Sequence, residues 1–201
     1  STPLYSSAAS DVYKRQFTNG SLLSIPKSKM LLSHPKFADL VVSIHGFSKE
    51  TYEFIMVGLK REQVYANVLN FIELRNRMGA VPHVSVSFVR IKQNIHELEA
   101  FRTFWKQKVD VVSDYEVMNW RGAVSTENLL YETPLHTRPC PMFEQPLVID
   151  AYGQIVRCCY DFTFNYGHIL SGGFNKWLNK KRETSIFPFK DCEPCLGWKH
   201  Y

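Results

Sequence analysis

The sequence predicts an α/β fold, with a parallel sheet in its first part and a small cysteine-rich module at its end. Three observations carry this. Apolar, β-branched runs recur along the chain, and amphipathic helical stretches fall between them. All the cysteines, Cys140, Cys158, Cys159, Cys192 and Cys195, are confined to the last third. The order strand, helix, strand, helix, strand implies right-handed βαβ units and strands that run parallel.

The elements follow in order. Phe17-Thr18-Asn19-Gly20 reads as a strand end entering a turn, because Asn-Gly accepts positive φ. A short helical stretch is expected over 22–32, interrupted by Pro26 and closed before Pro35. Leu40 to Ile44 is almost continuously apolar, which predicts a strand covered on both faces. A helix over 61–78 has Val64, Val68 and Ile72 on one stripe, widened by Leu69 and Phe71, and Gly79 as its C-cap residue. Val84 to Val89 is a second strand. Ile95 to Lys106 is a helix with Ile95, Leu98, Phe101 and Trp105 on one face, and a third strand lies within 110–120.

The character changes from about Leu129. Leu147 to Asp150 and Gln154 to Cys159 read as two strands of a hairpin turning at Gly153. Phe174 to Glu183 reads as a short helix, and residues 191–195 as a loop. This tail is too poor in apolar residues to hold itself without a staple. At the other end, residues 1–16 read as foreign to the fold, either a sequencing artefact or a disordered tail. Asp11-Val12-Tyr13-Lys14-Arg15-Gln16 resembles the translated end of a transposase mosaic sequence.

Composition narrows the classes. A net charge of +5 without a block of like charges argues against a nucleic-acid arm. No apolar run is long enough to span a membrane and no signal peptide is evident, so a cytoplasmic setting with reduced thiols is expected. Cysteines in that setting read as metal ligands or catalytic groups before disulfides. Cys192-Glu193-Pro194-Cys195 lets two thiolates converge on one metal without a long loop. The hairpin can bring Cys158 toward Cys140, completing a set of four thiolates that suits either zinc or an iron–sulfur cubane. Cys158 and Cys159 are neighbours on an expected strand and would point to opposite faces, and polarity does not choose between them.

These residues resemble a known family. Pro139-Cys140-Pro141, the run from Ile149 to Asp161 containing Gly153, Cys158 and Cys159, the later Gly167-His168-Ile169 and the final Cys-x-x-Cys are similar to the Twitch form of the SPASM extension of radical SAM enzymes. The resemblance implies that Cys140, Cys158, Cys192 and Cys195 hold one auxiliary [4Fe–4S] cluster; Cys159 is expected to be a small buried apolar residue, as a free cysteine usually is. The second cluster of the full SPASM form needs further cysteines, which the chain lacks. Upstream, Thr18-Asn19-Gly20, the segment Val41 to Gly46 and Glu50-Thr51-Tyr52 resemble the barrel of the same enzymes. The implied architecture is the C-terminal part of a partial (β/α)6 radical SAM barrel over 17–128, then a SPASM/Twitch module over 129–201 with its hairpin and short helix.

By the same resemblance, Ser43 contacts the methionine part of S-adenosylmethionine, and Arg90 contacts it by a looser analogy. His45 is expected to pack or hydrogen-bond at a strand end rather than ligate metal, and no residue is singled out as catalytic. The motif of three closely spaced cysteines that holds the SAM-cleaving [4Fe–4S] cluster is absent, since no cysteine precedes Cys140. The glycine-rich segment that binds the SAM amino group is missing too. The chain therefore reads as an N-terminally truncated piece of an oxidoreductase or maturase, inactive alone. Its intact parent would take a peptide, protein or small-molecule substrate and an electron donor such as flavodoxin or ferredoxin. The alternatives are a non-enzymatic binding module stapled by zinc on the four cysteines and a secreted disulfide protein, the latter weakened by the odd cysteine count.

Overall fold

A computed structural model describes residues 13–117, 127, 147–159 and 165–183, without the side chains of 180–183. The chain divides into two compact units, Ser1–Val117 and Met118–Tyr201. The first holds strands β1 (Lys14–Thr18), β2 (Phe37–Ser43), β3 (His83–Arg90) and β4 (Val111–Glu116), with helices α1 (Ile25–Leu32), α2 (Lys49–Ile55), α3 (Arg61–Met78) and α4 (Leu98–Trp105). The four strands form one sheet in the order β1-β2-β3-β4, and each pairs parallel with its neighbour. The parallel α/β arrangement read from the sequence is thus present.

Alternation in the strands builds the core. Leu40, Val42 and Ile44 from β2 and its exit, and Val84, Val86 and Phe88 from β3, are completely buried in one cluster with Val64, Val68 and Phe71 of α3 and Phe101 and Trp105 of α4. Complete burial of one such aliphatic or aromatic side chain is worth about 1.5–3 kcal/mol. The intervening residues of β2, Val41 and Ser43, are only half-buried. The expectation of a strand covered on both faces is corrected accordingly. Its apolar run is continuous because Val41 belongs to the other face, in register with Phe17, Ser85 and Val111, where Phe17 remains 63% exposed.

Helix α3 has the bounds its periodicity predicts. It ends on Gly79 at φ 58°, whose N–H and that of Ala80 return to the carbonyls of Asn76 and Arg75. Gly20, at φ 74°, lets α3 approach β2: a Cβ there would lie 3.1 Å from Val64 Cγ1 and 3.2 Å from Val42 Cγ1. Three differences from the sequence reading have local causes. Pro26 stands in the first turn of α1 and starts that helix rather than interrupting it, because its missing N–H has no partner to lose there. Helix α2 was not anticipated; Ser48 caps it by accepting the Thr51 N–H at 3.2 Å. Strand β1 takes in Lys14, Arg15 and Gln16, so pairing with β2 begins inside the segment read as foreign.

The second unit contains β5 (Val148–Ile149), β6 (Gln154–Val156), β7 (Asn165–His168) and α5 (Gly173–Glu183). Strands β5 and β6 form the expected antiparallel hairpin, and β7, unforeseen in the polar run Asn165-Tyr166-Gly167-His168, adds to β6 antiparallel. Asp150 organises the turn by accepting the N–H groups of Tyr152 and Gln154, both at 2.8 Å, on Oδ1. Gly153 sits at φ 76°, and the His168 ring lies against it so closely that a Cβ would fall 2.5 Å from Nε2. Replacing Gly153 with Ala should therefore cost about 1–2 kcal/mol for the left-handed backbone alone, and more as His168 is displaced. Amide hydrogen exchange at Ile155 and His168, faster in Gly153→Ala than in the wild type, would show it.

Candidate functional site

Two regions hold the residues singled out by sequence. The first is the carboxyl edge of the parallel sheet. Ser43 ends β2 and stands in register with Ser87 on β3 and Ser113 on β4, a row of hydroxyls on the face opposite the apolar core. None of the three has a side-chain partner among the described residues. Arg90 ends β3 on the other face, by the alternation that buries Val86 and Phe88. Its guanidinium pairs with Asp114 (Nε to Oδ1, 3.1 Å) and Glu116 (Nη2 to Oε1, 3.5 Å), and Asp114 is also held by Arg102 of α4 at 2.6 Å. The structure does not bring Ser43 and Arg90 together, and it commits Arg90 to a bridge between β3 and β4.

The segment that follows Ser43 is fixed from several sides. His45 accepts the Val89 N–H on Nδ1 at 3.1 Å, as expected of a strand-end histidine, and its carbonyl accepts from Asn94 Nδ2 at 2.9 Å. Asn94 is fully buried and its amide is fully used: it also donates to the Val89 carbonyl at 2.8 Å and accepts the Ile91 N–H at 2.8 Å. Tyr65 donates to the Gly46 carbonyl at 2.9 Å. Glu97, from the turn before α4, accepts the N–H groups of Phe47 at 2.6 Å and Ser48 at 3.2 Å on Oε2. Arg61 Nε donates to the Phe47 carbonyl while its guanidinium lies 4.0 Å from the centre of the Tyr65 ring and 5.6 Å from that of Phe47.

The electrostatics follow from these contacts. Burial works against the charge on Glu97, yet hydrogen bonds from Ser48, Phe47 and Thr51 hold its carboxyl below the usual range. Burial lowers the His45 pKa to about 4, so the ring is neutral near pH 7. Glu97 and Asn94 were missed by sequence reading. Their one signal was polar residues beside an amphipathic helical stretch, which by itself marks an ordinary helix start.

The second region is the cysteine module. Cys158 and Cys159 are half-buried and lie just beyond β6, which ends at Val156. The expected strand over 154–159 is shorter than predicted, so strand alternation does not apply to this pair. Cys140, Cys192 and Cys195 lie outside the described residues, and among the described residues no group of three or more His, Cys, Asp or Glu side chains converges as a metal site. No helix among them is long and apolar enough to cross a membrane. Compared with protein-family models, curated proteins and solved structures, the chain matches none.

The neutral His45 ring has a pH consequence. In the unfolded chain the imidazole titrates near its ordinary value of about 6.5, whereas in the fold it resists protonation until about pH 4. Its contribution is therefore complete above pH 6.5 and is lost as pH falls toward 4, on the order of 3 kcal/mol in all. Asn at this position keeps an acceptor for Val89 but cannot be protonated. Urea midpoints measured from pH 7 to pH 4 should fall less steeply for His45→Asn than for the wild type; parallel curves would show that His45 is not the titrating group.

Proposed function

We propose that the chain combines part of a radical SAM barrel with a Twitch-type module that binds one auxiliary [4Fe–4S] cluster through Cys140, Cys158, Cys192 and Cys195. The observation that carries this reading is the spacing of those four cysteines around a hairpin that turns at Gly153. Two further features support it. Gly153 is needed where it stands and His168 covers it, which gives physical work to two positions of the motif. A parallel sheet with one apolar and one hydroxyl-bearing face suits a barrel whose interior receives a polar cofactor.

The donor sets fit the groups named. Four thiolates suit an iron–sulfur cubane, and Cys158 lies half-buried beyond the small apolar pair Ile155 and Val156. When bound, the auxiliary cluster supplies a one-electron acceptor, which favours an oxidative parent reaction. Ser43 Oγ is free of protein partners among the described residues and fits a contact to SAM. Arg90 is better suited to holding β3 and β4 in register. The parent is a cytoplasmic enzyme acting on a peptide, protein or small molecule, with flavodoxin or ferredoxin as electron donor.

Anaerobic reconstitution tests the cluster. About four iron and four sulfide per chain are expected, lost in Cys192→Ala and kept in Cys159→Ala. About one zinc without sulfide, from cells grown with ample iron, would instead establish a structural zinc module. A second test concerns turnover: no cysteine precedes Cys140 to hold a SAM-cleaving cluster. The reconstituted chain with SAM and dithionite should release no 5′-deoxyadenosine, and its release would sink the assignment of the cysteines to an auxiliary cluster.

A further inference from the structure

The four cysteines assigned to a cluster leave Cys159 over, and it stands directly beside one of them. On a strand the two thiols would point to opposite faces. They are not on a strand: β6 ends at Val156, Cys158 follows in irregular chain, and Cys159 lies in a turn. The alternation that would keep the two sulfurs apart therefore ends before the pair.

Exposure changes at the same point. Ile155 is fully buried and Val156 nearly so, whereas Cys158 and Cys159 are both half-buried. Cys159 is thus not sealed in apolar surroundings as expected, and the pair lies where solvent reaches. Susceptibility of cysteine to oxidants follows that access.

An oxidised thiol has two fates. Alone, its sulfenic acid goes on to the sulfinic acid, which thiol reductants do not reverse. Beside a second thiol it condenses to a disulfide, which they do reverse. Adjacency keeps that second thiol always at hand, because no loop has to close. It also makes the product easy to reduce. Consecutive Cα atoms stand about 3.8 Å apart, short of the roughly 4.4–6.8 Å that disulfides normally span. Strained disulfides are the labile ones.

We propose that Cys158 and Cys159 form a reversible peroxide-modification site, closing a vicinal disulfide when Cys158 carries no metal. One thiol attacks hydrogen peroxide, the O–O bond breaks, and a sulfenic acid and one water result. The neighbouring sulfur then displaces the sulfenic oxygen as a second water, and the S–S bond forms. The two thiols give up two electrons and two hydrogens in all, and peroxide takes them. A dithiol reductant returns them, so Cys158 is stopped short of the sulfinic acid. The value of this to a cluster ligand rests on the proposed function; the disulfide itself does not.

The test uses the full chain, freed of metal by a chelator, with hydrogen peroxide as the probe. Remaining thiols are capped with iodoacetamide before digestion. Trypsin, cutting after Arg157 and Lys176, releases residues 158–176 as one peptide with both cysteines and no other. In the wild type this peptide should appear uncapped and lighter by two hydrogens than its dithiol form, and dithiothreitol should restore the dithiol. In Cys159→Ala most of Cys158 should instead keep two added oxygens after dithiothreitol. A wild-type peptide that stays a dithiol, gains oxygens, or is joined to a peptide bearing Cys140, Cys192 or Cys195 would overturn the proposal. Equal recovery of Cys158 in the two proteins would do the same. The wild-type peptide decides alone if Cys159→Ala does not fold. Iron and sulfide analysis after reconstitution keeps the two readings apart. A vicinal disulfide in a chain that takes up no cluster removes only the radical SAM assignment, and a cluster without the disulfide in the metal-free chain removes only this site.

Discussion

Six side chains on one face of two parallel strands decide the N-terminal unit. Leu40, Val42, Ile44, Val84, Val86 and Phe88 are fully buried, and the period of two that collects them on one side fixes what every other residue of those strands can do. A slip of one residue would exchange the apolar row for Val41, Ser43, Ser85 and Ser87. The core therefore sets the position of the hydroxyl row without touching it. Aromatic rings complete the layer above: Phe88 meets Phe101 at 4.9 Å and Tyr65 meets Trp105 at 5.1 Å between ring centres.

What was legible in the sequence was what depends on period. Helix α3 carries a long, regular stripe and a glycine cap, so even its ends could be read. Strands β2 and β3 are β-branched and bounded by turn residues. What escaped is short or polar. Helix α2 spans Lys49–Ile55, too few residues to express a stripe, and β7 is a four-residue polar strand that exists by pairing with β6. The end of β6 at Val156 was hidden because Arg157, Cys158 and Cys159 carry no turn signal.

The candidate site was legible to a different degree in each region. The cysteine pattern is a property of the sequence itself, and the structure adds the reason for Gly153, which is the His168 ring lying against it. At the sheet edge the sequence offered Ser43 and Arg90 as a pair, but alternation separates them and two carboxylates engage Arg90. Asn94 and Glu97 act on residues some 50 positions away. Contacts of that separation leave no periodic trace in a single sequence.

Asn94 joins three stretches of backbone through one amide: the exit of β2 at His45, the exit of β3 at Val89, and Ile91 at the start of its own turn. Glu97, three residues on, holds Phe47 and Ser48. The two connections leaving the sheet at this edge are thus coupled mechanically. Neither can swing as an independent loop on the nanosecond scale; displacing one means displacing the other together with the start of α4, a collective motion belonging to microseconds or longer. Whatever enters at this edge meets a stiff rim rather than a flap.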